Sequence, residues 1–112
     1  LEEGISNFHL WFLANLSRLL GFAPDNEYID GAWFDIREGH FTPHALFPSM
    51  ALTPENARLL HDMLECDVRY LGEIGLNHNE RASFLDAMLR YYAFHFDAIH
   101  SVESLRILRE VF

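Results

Sequence analysis

The stretch Asn7-Phe8-His9-Leu10-Trp11-Phe12-Leu13-Ala14-Asn15-Leu16-Ser17-Arg18-Leu19-Leu20-Gly21 decides the fold class. Counting from Ile5, apolar side chains recur at Phe8, Phe12, Leu16 and Leu19, the spacing of one face of an α-helix. Trp11, Leu13 and Leu20 widen that stripe. Gly21 stands where a left-handed C-cap belongs and Pro24 follows shortly after, so a helix is predicted over 5–20. An apolar face this wide asks for neighbours on several sides, which puts the helix at the centre of its domain.

Beyond Gly21 the helical period stops. Pro24, Asp25, Asn26 and Gly31 are turn-formers. Ala32-Trp33-Phe34-Asp35-Ile36 and His40-Phe41-Thr42 then flank Arg37-Glu38-Gly39, which reads as a short β-hairpin with Gly39 at positive φ. Two short strands are marginal alone, so Trp33, Phe34, Ile36 and Phe41 are expected to rest on helices. Thr53-Pro54-Glu55 starts the next helix with an N-cap, a first-position proline and a first-turn acid. That helix carries Ala57, Leu59, Leu60, Met63 and Leu64 to about Glu65, and a helical turn with Val68, Tyr70 and Leu71 follows, ending near Gly72 or Gly75. Asn77 and Glu80 form a capping box for a third long helix, whose stripe is Phe84, Leu85, Met88, Leu89, Tyr92 and Phe96. Ser101 caps a last helix with Leu105, Leu108 and Phe112 inward. The expected fold is mainly α, a small bundle of four to five helices with a β-hairpin inserted after the first, and residues 1–112 form one domain.

Composition narrows the function. The 112 residues carry 17 acids against 8 basic groups, a net charge of −9, and every basic residue is arginine. Such a surface is a poor general binder of phosphate backbones. One cysteine, Cys66, excludes a disulfide framework and CxxC-based zinc sites, and suits a reducing cytoplasm. No apolar run is long enough for a membrane span. The chain opens at Leu1, and Glu2-Glu3 lead almost directly into the helical pattern, which reads as a fragment of something larger.

No Gly-rich phosphate loop, nucleophile elbow or HExxH motif is present. His40 and His44 have a spacing that would suit a metal on a helix, but Pro43 and the hairpin context make them loop histidines. His95 is read as a helix-edge residue. Cys66 lies between Glu65 and Asp67, acids that raise a thiol pKa and blunt its reactivity. No catalytic group, metal or cofactor is assigned. Among the arginines, Arg58, Arg69, Arg90 and Arg106 have acids three or four residues away, and Arg37 sits between Asp35 and Glu38. Arg18, Arg81 and Arg109 have no acid at three or four residues and are the candidates for an external carboxylate or phosphate, against tertiary pairing or, for Arg18 and Arg109, bonding to helix C-terminal carbonyls.

Several segments together resemble the RecO recombination-mediator family. Asn7 to Leu13 followed by Leu19-Leu20-Gly21-Phe22-Ala23-Pro24 is similar to the helix that opens the C-terminal half of that family. Trp33 to Phe41 resembles the hairpin of its Bacteroidetes-type members. Asn79-Glu80-Arg81, Leu89-Arg90-Tyr91-Tyr92-Ala93-Phe94-His95 and Ser104-Leu105-Arg106-Ile107-Leu108-Arg109-Glu110-Val111-Phe112 resemble its C-terminal end. The resemblance implies a DNA-repair protein, not an enzyme, with a further N-terminal OB-fold domain. It implies partnership with RecR and with the acidic C-terminal tail of single-stranded DNA-binding protein. It also implies loading of RecA on single strands, strand annealing, and a cytoplasmic, nucleoid-associated location. Binding of single- and double-stranded DNA belongs to the full-length protein and is expected to be weak here. Many family members carry a four-cysteine zinc ribbon where Ala23 to Pro48 has no cysteine, so zinc is not carried over. Docking an acidic tail needs a positive spot beside apolar surface, and Arg81 with Phe84 and Leu85 is the expected place. The competing readings are an autonomous helical interaction or regulatory module unrelated to DNA, and a metal-dependent enzyme built on His40 and His44.

Overall fold

A computed structural model describes residues 6–97, the side chains of 96 and 97 excepted. The expected last helix with Ser101, Leu105, Leu108 and Phe112, and with it Arg109, lies outside the described residues, as does Ile5.

Helix α1 spans Asn7–Leu20. The Ser6 hydroxyl accepts from the His9 amide at its start, and Gly21 ends it at φ 93°, its N–H returned to the Ser17 carbonyl. Strands β1 (Trp33–Asp35) and β2 (His40–Thr42) form the hairpin, with Phe34 opposite Phe41 and Gly39 at φ 74° in the turn. A third strand, β3 (Ala51–Leu52), pairs antiparallel with the other edge of β1, giving the order β2-β1-β3. A single turn of 3₁₀ helix, Pro48–Met50, delivers the chain into β3. Helix α2 spans Pro54–Glu65 under the Thr53 cap, a 3₁₀ segment covers Val68–Glu73, and α3 spans His78–Asp97. The capping box is reciprocal: the Glu80 amide donates to Asn77 Oδ1 at 2.8 Å and the Asn77 amide to Glu80 Oε1 at 2.9 Å.

One core joins all these elements. Leu10, Leu13 and Ala14 of α1 meet Phe34, Ile36 and Phe41 of the hairpin region, Leu60 and Met63 of α2, and Phe84, Met88, Tyr91 and Tyr92 of α3. Each large apolar side chain taken from water contributes about 2 kcal/mol. Phe34, Ile36 and Phe41 rest on helices as expected, whereas Trp33 stays half-buried outside this cluster.

The buried face of α1 differs from the predicted stripe. Leu10, Leu13, Ala14 and Ser17 are buried, while Phe8 and Leu19 are 50% and 83% exposed. The small Ala14 and Ser17 let neighbours come close, and the Tyr92 hydroxyl of α3 donates to the Leu13 carbonyl. One flank of α1 is polar and faces the end of α2. Asn15 Nδ2 donates to the Met63 carbonyl at 3.3 Å, Trp11 Nε1 to that of Cys66 at 3.0 Å, and Asn7 Nδ2 to those of Leu71 and Ile74 at 3.0 and 2.8 Å. Carbonyls that a helix end leaves without intrahelical partners are thus met from a neighbouring helix.

Candidate partner-binding surface

The three arginines singled out from sequence part company in the structure. Arg18, in the last turn of α1, donates from Nη2 to the Leu64 carbonyl at 3.4 Å, so it takes part in capping α2. Arg81 donates from Nη1 to the Leu76 carbonyl at 2.7 Å and closes the turn that leads into α3; its Nε is buried with no hydrogen-bond partner among the described residues. Arg109 lies outside the described residues. Phe84 has no exposed surface and Leu85 is half-buried against the core. The expected contact surface at Arg81 is therefore corrected in one respect: Phe84 is a core residue that a partner cannot touch. Position 84 faces inward because Tyr91, Met88 and Phe84 share one side of α3, each step being three or four residues.

A positive spot beside an apolar groove does exist, one half-helix further on. Arg90, Ala93 and Phe94 present one face of α3 to Ile36, just past β1, and to Ser49 and Met50 of the 3₁₀ turn. Together these residues line a groove of about 260 Å³. Its floor is fixed from two sides. The Ile36 amide donates to the Met50 carbonyl at 3.0 Å, and His95 Nε2 donates to the Ile36 carbonyl at 3.1 Å. His95 is held for this by stacking on Phe22, with ring centroids 4.9 Å apart and planes 5° from parallel. The predicted helix-edge histidine is thus a packed residue that anchors the sheet to α3.

Arg90 was assigned to Asp86 by its spacing. The structure keeps that pair, but at 3.9 Å and with both groups solvent-exposed, a geometry worth little. Its other contact is a 3.5 Å bond from Nη1 to the Ser49 carbonyl. Two weak contacts are few for a group with five N–H donors. In the chain just before Pro48, Leu46 and Phe47 are exposed, and Phe94 itself is 37% exposed. The sequence signal that marks this site is the i, i+3, i+4 grouping of Arg90, Ala93 and Phe94; Ile36 and Met50 join it only through the tertiary fold.

A larger hollow of about 440 Å³ lies between the starts of α2 and α3, lined among others by Asn56, Leu59, Leu76 and Ser83. Its rim carries Glu55, Glu80 and Arg58, and Asn56 Nδ2 donates to Ser83 Oγ at 3.1 Å. Glu80 is spent in the capping box.

The remaining candidates separate rather than converge. His40 Nδ1 bonds to the Phe41 carbonyl at 3.3 Å, and the His44 carbonyl accepts from Thr42 Oγ1. Among the described residues no three His, Cys, Asp or Glu side chains stand where they could hold a metal ion. The Cys66 thiol is pushed above its ordinary value, first by desolvation and then by the charges of Asp67, Glu73 and Asp62. Arg69 pairs with Asp67 at 2.9 Å, and not with Glu65 or Glu73 four residues away. The reason is the 3₁₀ geometry of 68–73, which takes away the i, i+4 adjacency of an α-helix. The Arg69 side chain, and then its amide, hold the Asp67 carboxyl below its usual range. Asn26 bridges His61 and Glu65, taking Nδ1 of the imidazole at 3.0 Å and donating to the carboxylate at 2.7 Å, while Tyr28 stacks on the imidazole. That cluster fastens the cysteine-free loop to α2.

Fold and surface together define a class: a helical platform domain with a small inserted sheet and a shallow cation-rimmed groove. The chain belongs to the DNA repair protein RecO family. It is 32% identical to DNA repair protein RecO of Azobacteroides pseudotrichonymphae over 117 residues, covering 100% of this chain and 47% of that protein. It is 35% identical to that of Christiangramia forsetii over 110 residues, 98% of this chain and 46% of the other. The RecO protein of Flavobacterium johnsoniae is also 35% identical, over 112 residues. The chain spans about half the length of the curated relatives it matches. No family model matches it, and no solved structure matches it. Among the described residues no helix is long and apolar enough to cross a membrane.

Proposed function

We propose that this chain is the helical interaction domain of a recombination mediator. In that role the full-length protein loads RecA on single-stranded DNA and anneals strands, in contact with RecR and single-stranded DNA-binding protein, in the cytoplasm at the nucleoid. The domain makes and breaks no bond. It contributes surfaces, and its DNA contact is weak because eight arginines face seventeen acids.

The observation that carries this reading is Arg90 on the rim of the Ile36, Met50, Ala93 and Phe94 groove, on a chain without a single lysine. An acidic peptide tail places an apolar side chain in the groove and a carboxylate on the guanidinium, a charge-assisted contact. The test is calorimetric titration with a peptide of the single-stranded DNA-binding protein tail. Arg90→Ala is expected to weaken binding at least 10-fold, and Arg90→Lys less, because a lysine keeps the charge and loses the fork. Wild-type affinity in Arg90→Ala would remove the tail from this groove.

A further inference from the structure

The hollow of about 440 Å³ between the starts of α2 and α3 plays no part in docking an acidic tail, and its chemistry is the reverse of the Arg90 groove. Leu59 and Leu76 wall it, and both also pack against the core, so the walls are firm. Asn56, which lines it, is only 8% exposed. Its Nδ2 donates to Ser83 Oγ at 3.1 Å, which leaves Oδ1 as an acceptor that no donor among the described residues meets. A polar side chain held this deep normally has its groups paired within the protein. The rim carries Glu55 and Glu80 against Arg58. Glu80 gives one oxygen to the Asn77 amide and keeps its charge, while neither Glu55 nor Arg58 stands in an ion pair among the described residues. An adjoining hollow of about 350 Å³ shares Glu55 and Arg58 and adds Asp30, so three carboxylates face one guanidinium across the two.

We propose that this hollow is a docking site for an arginine side chain presented by a partner protein. The methylenes of that side chain lie along Leu59 and Leu76, as long cationic side chains do on apolar surface. Its N–H groups reach Asn56 Oδ1 and the Glu55 carboxylate, two acceptors that one fork of five donors serves together. Charge complementarity decides the occupant. The chain carries a net charge of −9, the acids outnumber Arg58 around both hollows, and the open atom of the buried amide is an acceptor. An anionic peptide would meet the reverse of each. Arg58, the one opposing charge, is exposed on the rim, where water and salt screen it. The site stands at the other end of α3 from the Arg90 groove and takes the opposite charge, so either can fail without the other.

The test is an NMR titration of the ¹⁵N-labelled chain with arginine amide acetylated at its N-terminus, and with the uncharged norleucine analogue beside it. The arginine probe is expected to shift the Asn56 side-chain amide and the Ser83 backbone signal along a saturable curve, and the norleucine probe to leave both in place. Two rim variants, both at exposed positions that leave the fold intact, then give opposite signs. Glu55→Gln is expected to weaken the arginine probe about 3-fold and Arg58→Ala to tighten it about 2-fold, the scale of single charges at a solvated rim. Asn56→Asp, which keeps the shape and offers only acceptors, is expected to tighten it as well. Absence of any shift at Asn56, or equal shifts with norleucine, overturns the proposal. So does the inverted pattern, with Glu55→Gln tightening and Arg58→Ala weakening, which would give the hollow to an anionic ligand.

Discussion

Arg81 and Arg90 stand on one helix, and the fold puts them to opposite uses. By local spacing Arg81 lacks an acid and Arg90 has one, so sequence marks Arg81 as available and Arg90 as occupied. In the structure Arg81 closes the entry to α3 through the Leu76 carbonyl, whereas Arg90 holds its acid at 3.9 Å and borders a groove. An exposed i, i+4 pair is too weak to sequester a guanidinium, and a backbone carbonyl in a tight turn is a stronger competitor that no spacing rule displays. The same contrast divides the helix as a whole. Its inward side is committed to packing; its Arg90 end is available for contact.

The largest expected effect tests the committed side. Phe84→Ala removes a fully buried ring and is expected to cost about 3–5 kcal/mol of stability, read from urea unfolding. If Phe84 were instead a contact residue, the variant would keep its stability and lose affinity for the tail peptide. That outcome would break the division drawn above.

How much of this was legible follows from the kind of force involved. Local chemistry read true: the Thr53 cap, the Asn77–Glu80 box, Gly21 and Gly39 are set by backbone geometry within a few residues. The inner face of α1 was not legible. Large apolar side chains occupy more than one side of this helix, and the buried side includes Ala14 and Ser17, small residues that a stripe of large apolar side chains does not mark. Nor was β3, since two residues carry no period and pair only because the turn at Pro48–Met50 brings them to β1. The groove failed for the same reason: half its lining, Ile36, Ser49 and Met50, lies forty or more residues before Arg90.

A smaller effect concerns the two tyrosines at the centre of the packing. Burial pushes both phenols well above the ordinary tyrosine value, and the charge of Tyr91 adds to the shift at Tyr92. The Tyr91 hydroxyl donates to the Phe22 carbonyl and that of Tyr92 to Leu13. Because the folded values are raised, the stability linked to these groups is fully present below the unfolded value of about 10 and is lost as pH rises above it. Unfolding free energies measured from pH 8 to pH 11 are expected to be level at first and then fall. Tyr92→Phe is expected to flatten that fall and to cost about 1 kcal/mol at neutral pH, the worth of one hydrogen bond. An unchanged slope would mean that the hydroxyl reaches solvent.

The smallest effect returns to the arginine pair and sharpens it most. Arg81→Ala deletes the bond to Leu76 but also a buried Nε that has no partner among the described residues. These partly offset, so the net loss is expected to be under about 1 kcal/mol. Tail-peptide affinity is expected to stay at the wild-type value, against the initial expectation that Arg81 is the docking spot. Arg90→Ala should show the reverse, with stability within about 0.5 kcal/mol of wild type and affinity reduced. Two substitutions on one helix then move two different observables, which neither general unfolding nor general loss of charge can imitate. If Arg81→Ala weakened the peptide as much as Arg90→Ala, the bond to Leu76 would have to be one that the partner displaces. The start of α3, with half-buried Leu85, would then rejoin the binding surface.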